Sequence, residues 1–486
     1  MKKINKKDWR FCSQRQRMSP FPNYMSMEAM CRQAKKYIGL NVPHILMLMQ
    51  DRIFSIFIPA VEFEQIADKM VERIAKDSKL CRRLVAIQHK NGKKLVEFAK
   101  KSFHADVSKF TNRQLVSAYE TYEKLYKEVY AGYGHVWIVE DALNKKLLEI
   151  VQKRIIDFAA ASDTLNQLTL QPEAMVARIE REHLYAMAAK IIRNKLKSKA
   201  VEKLIKQHER RFFWLTRDYD DPILDYDKIA ASLKEALKNN PKKVYRGMVA
   251  ERLEIHKKQK ELRRQLRLTK GEAALVDSML DLAYLKELRK RYVSESLYYF
   301  DKVLMEIGSR TYLSLKQVRF LSTKDVKDGL LRKQDLTSRA NDRIKLGAWL
   351  ADGKQTKIMT GKEAKNYHDA LIGFNKNTSV FTGMPVSPGI ARGPVRIIYD
   401  PHEISKVKKG EIIVTIQVVP SMAPAVLRSA GLICDGGHGI TTHPAIIARE
   451  AGVPCIIQTQ FARHVLKDGD LVEVDGYKGI ARKVKK

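Results

Sequence analysis
The chain has 486 residues, a net charge of +35 and a sequence pI near 9.8. Its five cysteines, Cys12, Cys31, Cys81, Cys434 and Cys455, are scattered, form no CxxC and pair with no histidine at metal-ligand spacing. That pattern excludes a disulfide scaffold and a structural zinc and points to a reducing cytoplasm. No run of about 18 apolar residues occurs, and MKKINKKDWRF leads into no apolar core of signal-peptide type, so a soluble chain of two to four domains is expected.

Near the start, His44 to Pro59 (HILMLMQDRIFSIFIP) reads as two apolar strands around a turn at Gln50 to Arg52, a small β-hairpin. Beyond it, VEFEQIADKMVERIAKDSKL, NRQLVSAYETYEKLYKEVYAGYG, VEKLIKQHERRFFWL and the long stretch from Gly271 to Arg310 carry apolar residues at i, i+3, i+4 and i+7. Each of these predicts an amphipathic helix packed in a bundle, with no heptad register sustained enough for a coiled coil. Glycine usage agrees, since 12 of the 24 glycines fall after Val380 and the much longer stretch before it holds the rest. No P-loop and no GxGxxG occurs in that stretch, and the glycines of AGYGH, Gly132 and Gly134, end the preceding helix. The positive excess also belongs there, with 76 Lys and Arg against 46 Asp and Glu up to Val380 and 14 against 9 after it. Such a field favours anionic partners, nucleic acid among them, although the basic run ERLEIHKKQKELRRQLRLTK has no interleaved aromatics, and a lysine-rich proteome gives the same composition with no partner at all.

GFNKNTSV, residues 373–380, is polar and reads as a linker between a basic helical domain over 1–372 and a compact α/β domain over 381–486. In the latter, Val395–Tyr399, Glu411–Thr415, Gly431–Cys434, Cys455–Ile457 and Leu471–Val474 are short β-branched runs, with helices predicted at Ala423–Arg428 and Pro444–Ala451. Between two of these strands lies CDGGHGITTHPAIIAREAGVP. The glycines Gly436, Gly437 and Gly439 let the chain wrap an anion with its own amides, and Pro444 suits the first helical position. His443 then stands beside unpaired N–H groups and the positive end of the helix dipole, where a phosphoryl group on its ring would be held. Imidazole is a competent nucleophile at neutral pH, and covalent capture divides one transfer into two. The plainer reading of His443 is a helix-capping histidine.

Together with TGMPVSPGIARGPVRII, KGEIIVT, PSMAPAVLRSAGLIC, REAGVPCII and LKDGDLVEVDGYKGI, that loop resembles the mobile phosphohistidine, or swivelling, domain of phosphoenolpyruvate-utilising enzymes. The resemblance implies that His443 is the phosphorylated histidine, that Thr441 and Thr442 occupy the hydroxyl or thiol positions of the family, and that Arg449 is its arginine on the same helix. Two positions depart from the family pattern: His438 replaces the first glycine of a pair, and Pro444 follows the histidine where a small residue is usual. His438 is open to two readings, an auxiliary phosphate contact or proton donor, and a polar loop residue without a role. Thr441 and Thr442 read alternatively as helix caps, and Arg449 as a salt-bridge partner of Glu450 or Asp435.

Neither the ATP-grasp domain nor the phosphoenolpyruvate-binding barrel of full-length relatives fits this length and composition. The resemblance therefore implies magnesium, ATP or phosphoenolpyruvate as donor, and a separate ATP-grasp or phosphoenolpyruvate-binding protein that supplies it. The helical part is also similar to the middle region of rifampicin phosphotransferase-like proteins at FFWLTRDYDDP and LMEIGSRTYLSLKQVRFLS. On that comparison Trp214, Arg217, Tyr219 and Arg310 line a pocket for a small-molecule acceptor; otherwise they are core and solvated pairs. The expectation is a phosphotransferase component carrying its group on His443. The contrasting class is a non-catalytic or regulatory protein whose basic helices hold RNA or an acidic partner.

Overall fold
The computed structural model describes residues 4–50, 52–170, 176–217, 223–373, 377–419, 422–437 and 442–484. A mainly helical region with a small antiparallel sheet is followed by an α/β domain. By compactness the chain forms two units, one of residues 1–68, 137–141 and 307–486, the other of residues 69–136 and 142–306. The segment 373–380 lies inside the first.

That first unit begins with a five-stranded sheet, β1 (Trp9–Arg15), β2 (Ile45–Gln50), β3 (Ile53–Pro59), β4 (Gly347–Ala351) and β5 (Thr356–Met359), in the order β1-β3-β2-β4-β5. All neighbours are antiparallel. The expected hairpin is its centre, with Leu46 opposite Phe57, and the apolar runs of β2 and β3 are continuous because both of their faces are covered. Leu46, Leu48 and Phe57 share a core with Ala348, Met359 and Leu371, so the hairpin is completed by residues some 300 positions downstream. Alone, a two-stranded hairpin is marginal in water.

A buried ion pair delivers β4 to this sheet. Asp325 is 2% exposed and closes a capping box with Ser322 at the start of the Thr323–Arg332 helix. Its carboxylate also accepts from Arg343 at 2.6 Å and Arg339 at 2.5 Å, and Arg343 donates as well to the Phe320 carbonyl at 2.8 Å. Arg343 belongs to the Thr337–Lys345 helix, which ends one residue before β4 begins.

The C-terminal part of the unit is an eight-stranded sheet built from β6 (Val380–Thr382), β7 (Met384–Ser387), β8 (Ile390–Ile398), β9 (Ile412–Thr415), β10 (Gly431–Cys434), β11 (Cys455–Ile457), β12 (Leu471–Asp475) and β13 (Ile480–Lys483). Their order is β6-β13-β12-β8-β9-β10-β11-β7, and β8, β9, β10 and β11 are parallel. Period-2 alternation sorts their side chains between two cores: Ile413, Leu432, Cys434, Cys455 and Ile457 go to one face, and Ile412, Val414, Ile433 and Ile456 to the other. Parallel strands covered on both faces read as uninterrupted apolar runs.

The second unit is helical. The helices Leu80–His104, Asn112–Ala131, Ser198–Phe212 and Pro241–Gln265 belong to it, as does most of the 42-residue helix Lys270–Thr311. Gly132 caps the Asn112–Ala131 helix, as the sequence suggests. An aromatic row on that helix holds part of the unit together: the Tyr122 ring stacks on Phe300 at 3.8 Å, and its hydroxyl shares a 3.0 Å hydrogen bond with Ser296.

Burial pushes the Asp325 carboxyl up, but the charge and hydrogen bond of Arg343 and the bonds from Ser322 outweigh it and hold it at about 2. The pair's contribution to stability is therefore full above about pH 4 and is lost as pH falls through about 2. Asp325→Ala leaves Arg343 buried without its partner and should lower the stability of the first unit by about 3–5 kcal/mol in denaturant titrations at pH 7, with a smaller loss at pH 2.

Candidate functional site
Parallel β9, β10 and β11 end on the same edge of the sheet, at Thr415, Cys434 and Ile457. In open α/β sheets the loops at the carboxyl ends of such strands form ligand sites. Here they are stitched together: the amide of Asp435 donates to Thr415 O at 2.8 Å, that of Gly436 to Ile416 O at 2.9 Å, and that of Gln458 to Gly436 O at 3.0 Å. At the centre is Asp435, whose side chain has no exposed surface. It accepts from the Thr459 hydroxyl at 2.7 Å and from the amides of Ala462 and Arg463 at 2.7 and 3.0 Å. Burial pushes this carboxyl up, and the same three donors and the Arg463 charge pull against that.

Two glycines follow because nothing else fits. A Cβ on Gly436 would stand 2.2 Å from the Gln14 carbonyl oxygen and 2.6 Å from that of Ile416, and Gly437 has φ +90°. The loop thereby leaves the sheet in contact with β1. Gln458 reinforces the contact, its side-chain amide donating to Cys12 O at 3.1 Å and to Gly437 O at 3.4 Å. Gln458 and Gln460 hold φ of 64° and 70°, left-handed values that cost non-glycine residues free energy and cluster at functional loops.

Residues 438–441 lie outside the described residues, and with them His438, Gly439 and Thr441. The chain resumes at Thr442, the N-cap, with φ −76° and ψ 155° and no side-chain cap hydrogen bond, so its hydroxyl is not used to start the helix. His443 is the first helical residue and Pro444 the second, in a helix that runs to Glu450. It ends in a Schellman motif, with the amide of Gly452 on Arg449 O at 3.1 Å and that of Val453 on Ala448 O at 2.9 Å. Pro444, Ala445, Ile447 and Ala448 are buried, which fixes the helix on the sheet and leaves His443 half-buried at its mouth.

Arg449 shares this helix, but six residues separate it from His443, which is about 120° around the axis and about 9 Å along it. Burial lowers its guanidinium pKa, with Cys455 and Glu450 acting against that. The helix alone does not bring the two side chains together. Asp435 is bound to Thr459, Ala462 and Arg463. That role, and the parts of Gln458 and Gln460, were missed in the sequence because their partners lie more than twenty positions away. The only local signal was an acid at a strand end.

In the helical unit, Trp214 is 3% exposed, donates to Arg211 O at 3.0 Å and lines a cavity of about 140 Å³ with Phe212, Tyr284 and Arg291. Arg217 is not among its walls; it is 8% exposed and ion-paired with Asp301 at 2.5 Å. Tyr219 lies outside the described residues, and Arg310 belongs to the other unit. Among the described residues, no three His, Cys, Asp or Glu side chains gather as a cation site.

Residues 407–479 match the family model for the mobile domain of PEP-utilising enzymes. The chain is 33% identical over 219 residues to a probable phosphoenolpyruvate synthase of Archaeoglobus fulgidus, covering 39% of this chain and 28% of that protein. It is 41% identical over 124 residues to the phosphoenolpyruvate synthase of Pyrococcus furiosus, covering 26% of this chain and 14% of that one. A Bacillus subtilis protein named as an uncharacterised phosphotransferase, YvkC, is 36% identical over 171 residues, 33% of this chain and 20% of its own length. The chain thus spans less than a third of the length of each of these relatives. Its C-terminal part carries a PEP-utilising enzyme mobile domain, and the longest of these alignments is too long to be confined to residues 381–486.

Asp435→Ala would leave two amides and a hydroxyl without an acceptor. The expected loss is about 3 kcal/mol of stability, with faster amide hydrogen exchange concentrated in residues 435–437 and 458–463 rather than spread over the sheet.

Proposed function
We propose that this chain is a phosphotransferase component that carries a phosphoryl group on His443. The observation that supports it most directly is His443 as the first residue of an eight-residue helix, at the carboxyl edge of four parallel strands, within the matched mobile domain. An imidazole nitrogen forms the P–N bond while the donor's P–O bond breaks and the leaving oxygen keeps the electron pair; delivery to an acceptor runs the same exchange in reverse. The first helical turn presents amides that intrahelical bonds do not use, and its dipole favours the negative charge that arrives. Thr442 stands at the N-cap, directly before His443, where a hydroxyl is close to the group the histidine would carry.

The donor is ATP or phosphoenolpyruvate with magnesium, handled by a separate ATP-grasp or phosphoenolpyruvate-binding protein, and the acceptor is a small molecule. His438, Gly437, Gly439, Thr441 and Arg449 complete the set that supports the phosphoryl group in this reading.

A second reading draws on the charge before Val380, 76 Lys and Arg against 46 Asp and Glu: a regulatory protein holding RNA or an acidic partner on its basic helices. One experiment separates the two. The protein and its His443→Ala variant are incubated with magnesium, ATP or phosphoenolpyruvate, and lysate of the source organism, then weighed intact at neutral pH. One acid-labile phosphoryl group on the parent and none on the variant is the expected result. No addition with any donor, alongside salt-sensitive RNA retention that survives His443→Ala, would replace the first reading with the second.

A further inference from the structure
Four helices of the second unit, Val176–Asn194, Ser198–Phe212, Tyr226–Lys238 and Pro241–Gln265, share a core that includes Leu184, Ala188, Ile191, Ile205, Ile229 and Leu233. Successive helices run antiparallel. His208, near the end of the second, reaches Glu180, near the start of the first, at 2.8 Å, and Glu209 accepts from the Tyr226 amide at 3.0 Å, so the third starts where the second ends. The first pair is joined by residues 195–197 and the last pair by Asn239 and Asn240 alone. Both short connections therefore stand at one end of the bundle.

That end is strongly basic. Residues 190–203 hold six Lys and Arg and residues 234–246 hold five, against two carboxylates, Glu202 and Glu235. All eleven cations are exposed. Glu202 is bound by Lys206 at 2.5 Å and Glu235 by Lys238 at 3.2 Å; the other ten cations form no ion pair among the described residues. Their mounting is tight, since the amide of Leu196 donates to Ile191 O at 3.2 Å and the Asn240 side chain caps the last helix through the Lys243 amide at 3.3 Å. A chain merely rich in lysine would load its connections alike. Residues 209–228, which join the second helix to the third, instead hold six Asp and Glu against four Lys and Arg. The far half of the last helix is basic as well, but there Lys258 pairs with Glu261 and Arg263 with Asp277.

We propose that this end of the bundle docks on the phosphate backbone of a nucleic-acid duplex, without reading its sequence. Nine of the eleven cations are lysines, point charges on flexible stems that meet phosphates at variable angles. Base readout draws on arginine forks, and single-strand binding on stacked aromatics. Ile192 is the large apolar side chain exposed here, too little apolar surface to enter a lipid interface. Each phosphate neutralised releases counterions, so contacts by half of the cations give a slope of log affinity on log salt of about −5. The proposal rests on the charge excess behind the second functional reading, but not on a choice between regulator and carrier, because His443 takes no part in it.

The test follows the fluorescence anisotropy of a short labelled DNA duplex titrated with the full chain at several NaCl concentrations. Lys195→Glu/Lys197→Glu/Lys242→Glu/Lys243→Glu is compared with Lys90→Glu/Lys93→Glu/Lys94→Glu/Lys124→Glu, which changes the net charge equally at exposed positions of the helices Leu80–His104 and Asn112–Ala131. The first set falls in a connection and a first helical turn, where Glu is well tolerated, and circular dichroism checks both folds. The expected result is saturable, salt-steep binding by the parent and by His443→Ala, weakened at least tenfold in the first variant and less than threefold in the second. No saturable binding, or tighter binding of either single strand, of polyglutamate or of phosphatidylserine vesicles, would overturn the proposal. Equal losses in the two variants would overturn it as well, leaving the second functional reading with a general affinity of a basic chain and no docking site.

Discussion
A carboxylate with no exposed surface holds together the edge of the sheet from which the histidine loop departs. Asp435 sits at the end of β10 and ties down residues 459–463, which follow β11, through one hydroxyl and two amides. A charge placed there is expensive unless its lone pairs are filled, so the position selects both the acid and the turn that surrounds it. Everything else at the edge follows from that turn. Gly436 can approach the Gln14 carbonyl, and Gln458 can reach across to Cys12.

The histidine helix is a short element made definite at both ends. Pro444 fixes its second residue, and the Schellman bonds from Gly452 and Val453 close it after two turns. A helix of this length has little stability of its own, so its direction comes from the burial of Ala445, Ile447 and Ala448 against the sheet. The backbone from Thr442 to Val453 is thereby fixed, which on the proposed reading limits the ordering still to be done when the histidine is charged.

Much of the C-terminal domain was legible in the sequence because β9, β10 and β11 are covered on both faces, and their β-branched runs between glycine, proline and aspartate have one reading. The His443 helix was legible from Pro444 and Gly452. What escaped has non-local causes. β1 is WRFCSQR, whose only buried residues, Cys12 and Gln14, are too few and too polar to announce a strand. β4 and β5 are short and become strands by pairing with β2, which is far upstream. The loop's supports were hidden likewise: nothing in the local pattern around Gln458 or Gln460 signals a left-handed backbone, where glycine would be the ordinary choice.

The five-stranded sheet has a consequence for the order in which the molecule is made. Its centre, β2, pairs on one side with β3, a few residues on, and on the other with β4, about 300 residues on, for instance Leu46 with Leu350. On the ribosome the apolar hairpin therefore emerges early and waits, edge uncovered, while the whole helical unit between residues 69 and 306 is synthesised and can fold as a body of its own. Only when residues 347–351 appear can the open edge of β2 gain its partner, and β1 meets the histidine loop later still. Such long-range closure is slow, and an exposed ILMLM strand is a ready partner for other chains during the delay. The fast-forming helical unit and the late-closing sheet thus place the vulnerable interval of this protein's life before its last strands are made.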